Sequence, residues 1–150
     1  MNISDLLRHK TSGGSADGRP DVVTITADET VTDLVAALKR HNVGALVVVD
    51  GDGGVAGIAS ERDVVRRLAE HGGELLERPV SAIMTSTVTS CSGDDAVDAV
   101  AATMTERRIR HMPVIDGGQL TGVVSIGDVV SSQIRQLEHD RGQLEQYISS

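Results

Sequence analysis

An α+β fold built from two copies of one β-α-β-β-α unit, related by a pseudo-two-fold axis, is what this sequence predicts. Three observations carry it. The segment Val22–Asp50, "VVTITADETVTDLVAALKRHNVGALVVVD", aligns without gaps on Val88–Asp116, "VTSCSGDDAVDAVAATMTERRIRHMPVID". Helical and strand periodicities follow one another in the same order in both copies. The pattern Gly-apolar-x-Ser-x-x-Asp occurs twice, as "GIASERD" at 57–63 and "GVVSIGD" at 122–128.

Each copy opens on a short β run, Val22–Thr26 or Val88–Ser92. An amphipathic helix follows. Val31, Leu34, Val35 and Leu38 stand at i, i+3, i+4 and i+7, as do Val97, Val100, Ala101 and Met104. Asp28 and Asp94 are the expected N-caps. The apolar strands "ALVVVD" and "HMPVID" then run through Gly/Asp turns into "VAGIAS" and "LTGVVS", a hairpin signal. A second helix begins at Ser60 or Ser125. One copy alone, at under about 60 residues, buries little core, so the two must pack together.

Ahead of the first copy, "ISDLLR" at 3–8 resembles "VSAIMT" at 80–85. The expected organisation is a leader helix at 1–10, a mobile loop at 11–21, repeat 1 with its linker at 22–79, repeat 2 at 80–134 and a helical tail at 135–150. The Gly, Ser and Asp content of "TSGGSADGRPD" predicts the loop. In the tail, Val130, Ile134, Leu137, Leu144 and Ile148 alternate spacings of three and four, with Arg141 in one slot. This is either a seam for a dimer or partner, or a helix folded back on its own domain.

Composition narrows the function. With no Phe, no Trp and a single Tyr, the chain has little to stack on a planar ligand. A formal charge of −8 disfavours nucleic acid, which needs clustered cations against phosphate. The lone cysteine, Cys91, excludes an internal disulfide and a cysteine-based zinc site. No catalytic or metal-ligating set is apparent among the five histidines. Neither a signal peptide nor a membrane span is read, so a soluble cytoplasmic protein that is not an enzyme is expected.

The paired signals "NVGALVVVD" with "GIASERDVV" and "RIRHMPVID" with "GVVSIGDVV", in register after matching helices, carry a resemblance. The chain resembles a tandem pair of CBS (cystathionine-beta-synthase-type) repeats, and most of all the small stand-alone two-repeat proteins. The resemblance implies a regulatory module that binds adenine nucleotides or related adenosyl compounds (AMP, ADP, ATP, NAD or S-adenosylmethionine) between its repeats. It also implies dimerisation into a flat disc, with no required cofactor beyond the regulatory nucleotide.

Candidate ligand residues follow. Read from the residues alone, Ser60 with Asp63, and Ser125 with Asp128, are capping boxes. Read through the resemblance, the serines meet ribose or phosphate and the aspartates accept from the ribose diol, two acceptor oxygens suiting two hydroxyls. Arg110 and His111 are expected at phosphate, although strand alternation predicts that they diverge. Arg107 and Arg108 stand beside them, and helix-end charge is the alternative for all. Arg62 is either a second-site cation or an exposed first-turn residue. Val22, Thr24, Ala45, Val88, Ser90, Ile109 and Met112 are the positions the resemblance nominates for the base, plain core packing being the alternative for each. Gly44 and Ala45 stand where the second copy has Arg110 and His111, so the two sites are not expected to be equivalent.

Overall fold

The computed structural model describes residues 1–10 and 22–149; the predicted loop at 11–21 lies outside the described residues. Helix α1 (Ile3–Lys10) precedes the first copy, which comprises β1 (Thr24–Thr26), α2 (Val31–His41), β2 (Ala45–Val49), β3 (Val55–Ser60) and α3 (Glu61–His71). Two short 3-10 turns, Gly72–Glu77 and Val80–Ala82, lead to the second copy: α4 (Val97–Arg107), β4 (His111–Asp116), β5 (Gln119–Ser125) and α5 (Ile126–Ser149). The α+β repeat architecture is therefore as the sequence predicts.

In the first copy β1 pairs in parallel with β2, and β2 antiparallel with β3. In the second, the leading strand shrinks to a parallel bridge between Cys91 and Val114 beside the β4–β5 hairpin. Both hairpins carry a register shift at the same repeat position, between Val48 and Val49 and between Val114 and Ile115.

Helix starts differ from the expectation. The N-cap of α2 is Thr30, not Asp28. Its hydroxyl accepts from the Asp33 amide at 3.2 Å, and Asp33 accepts from the Thr30 amide at 3.1 Å. This reciprocal box outcompetes an aspartate two residues earlier. In the second copy Ala96 takes the cap position, in place of the expected Asp94, and has no side chain to donate to. The Val97 amide is met instead by the Met1 carbonyl at 3.3 Å, as the Val31 amide is met by that of Arg78 at 2.9 Å.

These two bonds belong to an exchange. The leader before copy one docks on copy two: Ile3 and Ser4 amides donate to the Asp95 and Gly93 carbonyls, both at 2.9 Å. The segment before copy two docks on copy one: Val80 and Ser81 amides donate to Glu29 and Ala27, at 2.7 and 3.0 Å. The cores follow the same division. Ile3, Leu6 and Leu7 pack with Val97, Val100, Met104, Met112, Val114 and Val124. Leu75, Val80 and Ile83 pack with Val31, Leu34, Leu38, Leu46 and Val48.

The motif glycines serve this docking. A Cβ on Gly57 would stand 2.6 Å from the Thr85 carbonyl oxygen, and one on Gly122 would stand 2.8 Å from a Leu7 methyl. The Thr85 backbone is itself paired to Ile58 in both directions, at 2.8 and 3.0 Å. Asp116 fastens the far side of the second copy. It accepts from the Gly93 amide and the Ser92 hydroxyl at 2.9 Å each, and from the Thr121 hydroxyl at 3.1 Å.

Two outcomes follow. Gly57→Ala, which pushes on backbone, destabilises the chain by about 1–3 kcal/mol, and Gly122→Ala, which pushes on a flexible side-chain end, by less; urea unfolding of both variants compares them. The Gly93 amide, followed by the Ser92 and Thr121 hydroxyls, holds the Asp116 carboxyl below its ordinary value of 3.8. A depressed carboxylate stabilises the fold above the ordinary value and loses that contribution as pH falls through the lower folded one. Asp116→Asn therefore flattens the acid limb of a stability–pH profile below about pH 4.

Candidate functional site

Ser60 ends β3 in extended backbone and begins α3. Its hydroxyl accepts from the Asp63 amide at 3.2 Å, while Asp63 Oδ2 accepts from the Ser60 amide and hydroxyl, each at 2.9 Å. Ser125 and Asp128 repeat the arrangement at α5, at 2.9 and 3.1 Å. Both motifs are thus capping boxes in the structure. The first leaves Asp63 Oδ1 over, and nothing among the described residues donates to it. The first amide of each motif helix is satisfied by the residue ahead of its own hairpin: Glu61 donates to Gly44 at 2.9 Å and Ile126 to Arg110 at 2.8 Å.

A cleft of about 310 Å³ opens where three segments meet. Helix α3 brings Ser60, Glu61, Arg62, Asp63 and Arg66. The inter-repeat linker brings Thr85, Thr87, Val88 and Thr89, and the approach to β4 brings Arg108, Ile109, Arg110 and His111. Gly44 lies at the contact of the copies, since a Cβ there would stand 3.3 Å from His111 Nε2. The residue that replaces Arg110 in the first copy thereby makes room for the imidazole of the second.

The cleft is basic on an acidic chain. Arg62, Arg66, Arg108 and Arg110 face Glu61 and Asp63 only, and none of the four is in an ion pair among the described residues. Arg107 is tied instead to the Thr89 hydroxyl at 3.3 Å and does not line the cleft. The arrangement suits an anion at the arginines and a hydrogen-bond donor at Asp63.

Of the residues singled out from sequence, Ser60, Arg62, Asp63, Val88, Arg108, Ile109, Arg110 and His111 come together here. Arg110 and His111 do not diverge, because Arg110 precedes β4 and sits in a bend where strand alternation does not apply. Ser125 and Asp128 do not line this cleft; the hairpin pairing of Ser125 with His111 carries them to the far side of it. By repeat correspondence they answer to Val22, Val43 and Gly44, which offer no cation. Met112 and Ala45 do not line this cleft. Met112 is 1% exposed within the second core, and Ala45 is buried on the sheet face opposite Leu46. Val22, Thr24 and Ser90 are also outside the lining. Sequence reasoning missed Arg66, one turn beyond Arg62 on the same helix face, and the threonines of the linker. Spacing signals Arg66; nothing local signals the threonines.

Comparison with known proteins agrees with this architecture. A family model described as "CBS domain" matches residues 18–70 and 80–135. The chain belongs to the CBS-domain family. The mitochondrial CBS domain-containing protein CBSX3 of Arabidopsis thaliana is 38% identical over 97% of this chain and 71% of its own. The CBS-domain containing protein ATU1752 from Agrobacterium tumefaciens superposes with a TM-score of 0.79 at 39% identity, covering 88% of this CBS pair and 92% of its own chain. The CBS domain pair of MJ0100, solved in complex with 5-methylthioadenosine and S-adenosyl-L-methionine, superposes at 0.70 with 25% identity, covering 87% and 98%. No helix among the described residues is long and apolar enough to cross a membrane.

One cleft residue of this CBS pair is held in an unusual backbone. Arg108 closes α4 in the left-handed conformation, with φ 55°, where the first copy places Asn42 at φ 52°. Asparagine tolerates that region, whereas a long side chain costs about 1 kcal/mol or more there. The strain coincides with the position that brings a fourth guanidinium to the cleft. Arg108→Asn is expected to raise stability by up to about 1 kcal/mol, read as a higher urea midpoint.

Proposed function

We propose that this CBS pair is a non-enzymatic regulatory module that binds a phosphate-bearing adenosyl ligand in the cleft between its repeats. The observation that carries the reading is the meeting of Asp63, at the start of α3, with four arginines that are in no ion pair among the described residues. The spare acceptor of Asp63 suits a ribose diol. The guanidiniums suit phosphate, to which arginine donates two bonds in parallel. Ser60, Arg62 and His111 line the same cleft, and Val88 with Ile109 offers the base an apolar slot in place of an aromatic stack.

The complex of MJ0100 with two adenosyl compounds supports the adenosyl part. The charge of this cleft argues for nucleotides within that class, because four guanidiniums disfavour the sulfonium cation of S-adenosylmethionine. A ligand regulates only by binding one conformation better than another. Here it would tie α3 of the first repeat to the β4 approach of the second, and so set the angle between them. The nucleotide is the regulatory ligand, and no further cofactor enters the reading. The module acts in the cytoplasm as a homodimer, without nucleic acid or membrane, on a partner protein whose identity the site does not encode. Its helical tail also favours a second role, in association.

Calorimetric titration with ATP, ADP, AMP, NAD, 5-methylthioadenosine and S-adenosylmethionine tests this. Phosphorylated members are expected to bind, with S-adenosylmethionine at least about tenfold weaker, a difference of 1.4 kcal/mol. Asp63→Asn keeps a capping acceptor and is expected to lose about tenfold in nucleotide affinity, while Asp128→Ala leaves that affinity unchanged. Silence across the whole panel would overturn the proposal.

A further inference from the structure

The helix that ends the chain has two faces, and the domain uses one of them. Val129 and Ser132 are its buried residues. Beyond Ser132, Gln133, Gln136 and Leu137 line a hollow with Met1 and Val97. The rest runs on for about 25 Å at 1.5 Å per residue. The predicted seam is centred on a different face, roughly a third of a turn from the docked one at 100° per residue, with Leu137 at the border between the two. Its apolar side chains are exposed, from 47% at Val130 to 82% at Ile148. The seam therefore does not fold back on its own domain. An arm of this length with Gly142 in its middle does not hold a helix by propensity alone. Something covers it.

The residue types name the occupant. In heptad terms Ile134, Arg141 and Ile148 fall at a, and Val130, Leu137 and Leu144 at d. Isoleucine at a with leucine at d is the choice that favours two parallel strands. A single polar a residue fixes register and strand number at some cost in stability. Arg141 fills that role, and it is flanked for self-pairing. It bonds Glu145 on its own helix at 3.0 Å, and Asp140 precedes it at the g position. In a parallel pair the two Arg141 side chains share one layer, with Asp140 and Glu145 of both copies around them. An antiparallel pair would set each Arg141 against an apolar d residue. The exposed apolar residues of α2 and α3, Val35, Val65 and Leu68, show no such repeat.

We infer that the seam on α5 from Val130 to Ile148 pairs with the same seam of a second copy as a parallel two-stranded coiled coil. This fixes what a general expectation of dimerisation leaves open: which surface, which direction and which register. It brings two CBS pairs together with their C-terminal arms pointing the same way, and leaves both basic clefts outside the contact.

The test uses the full chain. Light scattering at micromolar concentration is expected to give a dimer, and Leu144→Lys with Ile148→Lys to give a monomer. Because the arm is remote from the cleft, ATP titration of that double variant is expected to match the unsubstituted chain. Air oxidation of Ile148→Cys is expected to link two chains, since equal a positions face each other only in the parallel pair. Cys91 gives little background, being buried, with its thiol pushed up to about 11 by that burial and then by Asp95 and Asp116. A monomeric chain, a dimer that survives the double substitution, or an Ile148→Cys that stays unlinked would each overturn the inference. A silent ATP titration with an intact dimer would instead count against the ligand reading alone.

Discussion

The structure depends on the exchange of leading segments between the copies. Each half keeps its helix and hairpin but closes its core with side chains that precede the other half: Ile3, Leu6 and Leu7 in one case, Val80 and Ile83 in the other. The backbone bonds that seat them also satisfy the first amides of α2 and α4. Neither copy is complete without its neighbour's lead-in, so the two fold as one cooperative unit. The basic cleft is a by-product of the same crossing. The linker that leaves the first copy and pairs with Ile58 must pass α3, and its threonines become a wall.

Duplication supplied two equivalent frames, and substitution has made them unequal. Where the second copy carries Arg110, the first carries Gly44; where the second turns through Arg108, the first turns through Asn42. Both changes put cations on one side of the pseudo-two-fold axis and space on the other. The frame itself barely responds, because the positions concerned sit between elements rather than inside them. The same capping box, by contrast, is kept at Ser60 and Ser125, where losing it would leave helix amides unsatisfied.

Most of the fold was legible because its signals are local. Val31, Leu34 and Leu38 declare a helix by spacing, and "ALVVVD" a strand by composition. The errors arose where local rules compete or stop. Asp28 is a fair N-cap until Thr30 and Asp33 form a better one. Met112 is buried one residue beyond His111 of the cleft, and strand alternation turns the two to opposite sides. Ser125 and Asp128 repeat the motif faithfully but stand away from the cations, and no periodicity records which copy supplies them. The linker threonines reach the cleft through long-range crossing, which leaves no trace in neighbouring residues.

Helix α3 has no fully buried side chain, in contrast to α2 and α4. It is held by its cap, by the Gly44 carbonyl and by the partly covered Val64. A rod clasped mainly at one end can pivot without emptying a core, so its orientation is inexpensive to change. Arg62 and Arg66 ride on that rod, one turn apart, and tilt with it. Small rotations there alter the charge presented to the opposing repeat far more than they alter the stability of the chain, which is the property a lever needs.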